Sequence, residues 1–97
     1  MFGKRMAEEA LSAMGGTAWD EVLTWKERSL IVVSALIAQG GVEDRLRTHI
    51  GWAIRNGATR AELDALVSML TVYVGYPRAA AGMAVLIEEL GPLEAGS

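Results

Sequence analysis

Two capping boxes constrain this chain more than any other feature: Thr24-Trp-Lys-Glu27 and Thr59-Arg-Ala-Glu62. In each, the threonine oxygen suits the amide of the third helical residue and the glutamate reaches back to the threonine's own amide, so a helix begins at both places. The first continues through Leu30, Ile31, Val32, Val33, Leu36 and Ile37 to Gln39, with apolar residues on nearly every face, the pattern of a central helix surrounded by others. Gly40-Gly41 stops it. The second runs through Leu63, Leu66, Val67, Met69, Leu70 and Tyr73 and closes at Gly75-Tyr76.

Between these two lies a third helix, Val42 to Asn56, which winds at about 100° per residue and so sets Val42, Leu46, Ile50 and Ala53 on one face. Gly57 ends it. Pro77 suits the first position of a last helix, where a missing amide hydrogen has no partner to lose. In that helix Ala79-Ala-Ala-Gly82 leaves a surface almost without side chains, which lets another helix approach closely, and Met83, Leu86, Ile87 and Leu90 form its apolar stripe up to Gly91-Pro92. Leu93 to Ser97 reads as a frayed tail. Ahead of the first capping box, Lys4 to Met14 is expected as a short helix with Met6, Ala10, Leu11 and Met14 on one side, ended by Gly15-Gly16, after which Trp19 and Val22 cover the core from a loop or a single turn. No stretch alternates with a period of two. The expected class is therefore all-α, one domain over residues 1–97 in a bundle of about five helices with short loops.

Composition narrows the function. A 97-residue chain has little interior, yet 52% of its residues are hydrophobic before its 11 glycines are counted, and the surplus points to subunit interfaces and a homo-oligomer. Cysteine is absent, which excludes disulfides, thiolate metal sites and sulfur nucleophiles, so reduction of peroxides by a dithiol is not expected. The net charge is −3 and the basic residues are scattered among acids, so nucleic acid is not an expected partner. The longest apolar run, Leu30 to Ala38, is broken by Ser34 and reaches only about half the length of a membrane span. The first residues carry Glu8 and Glu9 where a signal peptide would be apolar, so a soluble, cytoplasmic protein is expected.

Chemistry is plausible in one place. His49, the only histidine, falls inside the apolar face of its helix, with Arg45, Trp52 and Asn56 along the same edge. A titratable imidazole thus sits among apolar neighbours beside a guanidinium, an indole and an amide.

The segments Leu23-Thr-Trp-Lys-Glu-Arg-Ser-Leu30, His49-Ile-Gly-Trp-Ala-Ile-Arg-Asn-Gly-Ala-Thr-Arg-Ala-Glu-Leu63 and Val72-Tyr-Val-Gly-Tyr-Pro-Arg-Ala-Ala80, in that order and spacing, resemble the carboxymuconolactone decarboxylase family. The resemblance runs from Leu23 to about Leu90. It implies an all-α, alkyl hydroperoxidase D-like fold assembled as a trimer or hexamer. The peroxidase branch of that family relies on a Cys-x-x-Cys pair, and here residues 40–47, where the pair would fall, hold no thiol. What remains resembles the cysteine-free decarboxylase branch, whose substrate is 4-carboxymuconolactone in aromatic-acid catabolism. Decarboxylases of that branch carry a longer N-terminal helical segment than the residues before Leu23 supply, and that segment helps to cover the pocket.

The resemblance marks Glu27 and His49 as acid–base candidates. In such a substrate the departing carboxylate sits on the carbon γ to the lactone carbonyl and is conjugated with it through a double bond, so the electrons left by CO₂ spread into a dienolate and no cofactor is required. The protein must hold the other carboxylate, stabilise charge on the lactone oxygen and give a proton to the ring carbon. His49 suits the last task, and Arg45 or Arg47 the first, Arg45 by the better geometry because Arg47 points more toward solvent. Trp52 and Tyr73 are candidate substrate contacts. Each residue also has a plainer reading: His49 as a satisfied interface residue, Glu27 as the cap's third residue, Trp52 and Tyr73 as packing aromatics, and Ser34 as bonding either Glu27 or its own helix backbone. A non-catalytic helical module that partners another protein is the competing function.

Overall fold

A computed structural model describes residues 22–92, and among them every regular element is a helix. Helix α1 is Trp25–Gln39, α2 Glu43–Arg55, α3 Arg60–Val74 and α4 Tyr76–Leu90. The expected helix at Lys4 to Met14, the cover expected of Trp19 and the tail from Leu93 to Ser97 lie outside the described residues, so the bundle described has four helices; Val22, expected to cover the core, is instead 82% exposed.

Both capping boxes form. Thr24 Oγ1 accepts from the Glu27 amide at 3.0 Å while Glu27 Oε1 accepts from the Thr24 amide at 2.8 Å. The second box repeats this at 3.1 Å and 2.9 Å between Thr59 and Glu62. The boxes also tie their helices together, because Lys26 Nζ reaches Glu62 Oε2 at 3.0 Å across the α1–α3 contact. Gly40 and Gly41, at φ 74° and 73°, turn the chain from α1 into α2 through a left-handed backbone that a side chain resists.

Helix α1 packs on each of the other three, and so does α4, so the two share the centre that the sequence assigned to α1 alone. Its core positions are Val33 and Ile37, joined by Leu46, Ile50 and Ala53 of α2, Leu63, Val67 and Leu70 of α3, and Ala79, Val85 and Leu86 of α4. The small-residue stretch of α4 receives a helix of the same chain. A Cβ placed on Gly82 would lie 2.9 Å from Ile37 Cγ1, so α1 and α4 approach only because that atom is missing. The start of α4 differs by one residue from expectation. Tyr76 is already helical and Pro77 occupies the second position, where an absent amide hydrogen is equally harmless because none of the first four has a partner within the helix. Among the described residues no helix is long and apolar enough to cross a membrane.

Candidate active site on the His49 helix

Helix α2 carries Leu46, Ile50 and Ala53 into the core and leaves its neighbouring edge half-covered. His49 sits on that edge, intermediate in burial. Its imidazole meets the indole of Trp52 edge to face, with centroids 4.8 Å apart and planes inclined at 72°. The aromatic edge carries partial positive charge and the opposing face partial negative, so the pair fixes the imidazole without neutralising it. Burial, and then the exposed Arg45 guanidinium one turn earlier, push the His49 pKa below its ordinary value. Two turns further on, Asn56 Nδ2 donates to Ser29 Oγ at 2.9 Å, so this edge of α2 runs along α1.

The other candidates are dispersed. Glu27 is exposed at the N-terminus of α1, where bonds from Thr24 hold its carboxyl below the usual carboxylate range. Because α1 and α2 are tied at Ser29 and Asn56, Glu27 lies beyond the C-terminal end of α2, whereas His49 lies seven residues back from Asn56, or about 10 Å of helix. Within one chain the two are not brought together. Arg47 leaves α2 on the opposite edge. Its guanidinium meets Glu88 at 3.1 Å, Asp44 at 2.6 Å and Glu89 at 3.8 Å, and this carboxylate environment, led by Glu88, raises its pKa. It binds α2 to α4. Tyr73 is 76% exposed on α3, and Ser34 bonds the Leu30 carbonyl of its own helix. Trp52, at 48% exposure, and Arg45 are the candidates that share an edge with His49.

Helical winding sets Asn56 on the His49 edge but does not reveal its bond to Ser29. Ser29 follows Arg28 at the edge of the apolar run, so nothing local marks it as buried, and its need for a partner appears only once the helices are packed.

The carboxymuconolactone decarboxylase family model matches residues 6–88. The chain belongs to this family. The family match takes in the whole of the His49 helix and both capping boxes. A curated family relative, the 4-carboxymuconolactone decarboxylase of Acinetobacter baylyi (strain ATCC 33305 / BD413 / ADP1), is 38% identical over 71 residues, an alignment that takes in 68% of this chain and 52% of the relative. The chain thus spans about half the length of the curated relative it matches. No solved structure matches it.

Proposed function

We propose that this family member is a cofactor-independent decarboxylase of 4-carboxymuconolactone or a related small lactone acid, with His49 as the proton donor. The observation that carries the reading is the His49 edge of α2: an imidazole held by an indole at 4.8 Å, next to a solvent-facing arginine, in a chain similar to a named decarboxylase.

In the free protein His49 is biased toward neutrality by burial and by Arg45. An anionic substrate opposes this bias, because its carboxylates offset the guanidinium and favour the imidazolium. Binding therefore draws a proton from solvent onto His49. Loss of CO₂ then breaks the bond to the γ carbon and leaves its electron pair in the dienolate, and the imidazolium gives its proton to the ring carbon α to the carbonyl. One proton is consumed and one CO₂ leaves, and His49 returns to the neutral form that the empty site prefers. Arg45 is the residue placed to hold the remaining carboxylate. The site is completed in a homo-oligomer, a trimer or hexamer as the family resemblance implies, and the large apolar side chains left exposed support that reading: Trp25 at 60%, Val72 at 81% and Tyr76 at 73%.

The competing reading is a non-catalytic oligomeric module that partners another protein. The structural engagement of Glu27 in a cap and of Arg47 in an ion-pair cluster favours it, since two of the candidate site residues have other work. Incubation with 4-carboxymuconolactone, following loss of the lactone's absorbance, separates the two: turnover supports the decarboxylase, and an unchanged substrate at micromolar protein supports the module.

A further inference from the structure

Arg28 and Trp25 reverse the usual order of burial: one turn apart on α1, the charged side chain is 6% exposed and the indole 60%. The guanidinium sits over the Trp25 ring, 4.9 Å from its centroid, so the indole covers one of its two flat faces. Helical side chains lean toward the N-terminus, and this contact sets the head of Arg28 at the first turn of α1, where the chain enters the helix.

By winding, Arg28 lies about 140° from the core residue Val33, on the flank of α1 turned away from the core. Ala35 is about 20° from Arg28 on that flank and Ile31 about 60°. Ala35 is exposed and Ile31 is 55% exposed. The flank is thus open along the middle of α1 and closed only at its N-terminal end. A helix laid along α1 would cover all three residues, whereas a short piece of chain at the entry covers Arg28 alone. A side chain packed over Arg28 would itself be buried, and Val22, at 82% exposure, is turned outward. Three residues earlier stands Trp19, within about 10 Å of extended chain.

We propose that Trp19 closes over the second face of the Arg28 guanidinium, so that two indoles hold the cation between them and fasten the segment before Val22 to the outer flank of α1. A guanidinium is planar and weakly hydrated, which suits it to a place between aromatic faces. The rival partners are Asp20 and Glu21, beside Trp19 in the chain. A carboxylate meets the N–H edge of a guanidinium and leaves its face open, and with one face on Trp25 it is the opposite face that burial to 6% still requires to be covered. Trp19 in this arrangement covers a charge rather than the core. The family match begins at residue 6 and so takes the segment in. No step of the proposed reaction uses Arg28, so the inference goes beyond that reading.

NMR on the intact chain tests it. The unaltered protein is expected to show nuclear Overhauser contacts between the Trp19 ring and the Arg28 Cδ protons, with those protons displaced upfield of their position in urea. Trp19→Leu is expected to lose much of that displacement and Trp19→Tyr, which keeps a ring, to retain most of it. Phe2→Leu, Asp20→Asn and Glu21→Gln are expected to leave it unchanged. Far-ultraviolet circular dichroism should keep its helical signal throughout, because α1 to α4 do not include these positions. Arg28 signals that stay in place in Trp19→Leu overturn the proposal, and so does a displacement lost in Asp20→Asn or Glu21→Gln, which would give the guanidinium to a carboxylate. Should Trp19→Leu fail to fold, absence of the Overhauser contact in the unaltered protein overturns it equally. In a mixture of isotope-labelled and unlabelled chains, contacts within one chain support the proposal and contacts found only between chains overturn it. None of these readouts requires turnover, so they stand apart from the proposed reaction.

Discussion

The Asn56 side-chain amide donates to Ser29 Oγ at 2.9 Å, and Ser29 is only 6% exposed between α1 and α2. This bond pins the C-terminal end of the His49 helix to α1. Each partner alone leaves the other's polar group poorly satisfied, so Asn56→Ala and Ser29→Ala should each cost about 1 kcal/mol, and the double substitution less than the sum by about 0.5–1.5 kcal/mol. Urea denaturation of the four proteins measures the coupling. Strict additivity would show that the bond is absent in solution.

Gly82 offers a second test of the packing. Its added Cβ would meet Ile37 Cγ1 at 2.9 Å and Cδ1 at 3.0 Å, inside a core where neither helix has room to retreat. Gly82→Ala gains the helix propensity of alanine, worth up to about 1 kcal/mol, but overpacking costs typically 1–3 kcal/mol, so the net change should be destabilising. In an Ile37→Ala background the clash is gone and the propensity gain should appear alone. Thermal melts of the two pairs report the change of sign.

His49 is the only histidine, so its titration can be followed in isolation by NMR. Its folded pKa lies below the ordinary value of 6.5 because burial, and then Arg45, disfavour the imidazolium. Above 6.5 neither the folded nor the unfolded chain holds the proton and the histidine is neutral to stability. As pH falls through 6.5 the unfolded chain takes it up first, so stability declines until the folded midpoint is passed and then levels off. The expected outcome is a midpoint below 6.5 that moves upward when a lactone carboxylate is added. A midpoint that stays put with the ligand bound would show that no carboxylate comes near the imidazole.

Local signals made most of this fold legible. Thr24-x-x-Glu27, Thr59-x-x-Glu62 and the glycines after each helix set the boundaries, because caps and left-handed turns depend on neighbours in the chain. The core face of α2 was legible for the same reason, as Leu46, Ile50 and Ala53 follow from winding alone. Contacts between helices were not. That Gly82 would receive Ile37, that Arg47 would close on Glu88 rather than face solvent, and that Asn56 would find Ser29 all depend on how helices are set against one another. The candidate site was legible only as an edge: the winding of α2 set His49, Arg45 and Trp52 together, while the relation of Glu27 to His49 depends on the antiparallel placement of α1 and α2. The exposed stripe of Val72, Tyr73 and Tyr76 shows the same limit, since periodicity identifies an apolar residue but not the surface that covers it.

The central claim is that His49 gives the proton, and kcat for His49→Asn, measured beside melting temperature and mass on the same preparation, tests it most directly. Asparagine has a similar volume and keeps a polar group on the half-buried edge, so the fold and assembly should persist while kcat on 4-carboxymuconolactone falls by about 10²-fold or more, the usual worth of a positioned acid. A variant that melts, assembles and turns over as the unaltered protein does would contradict the claim and remove His49 from the chemistry.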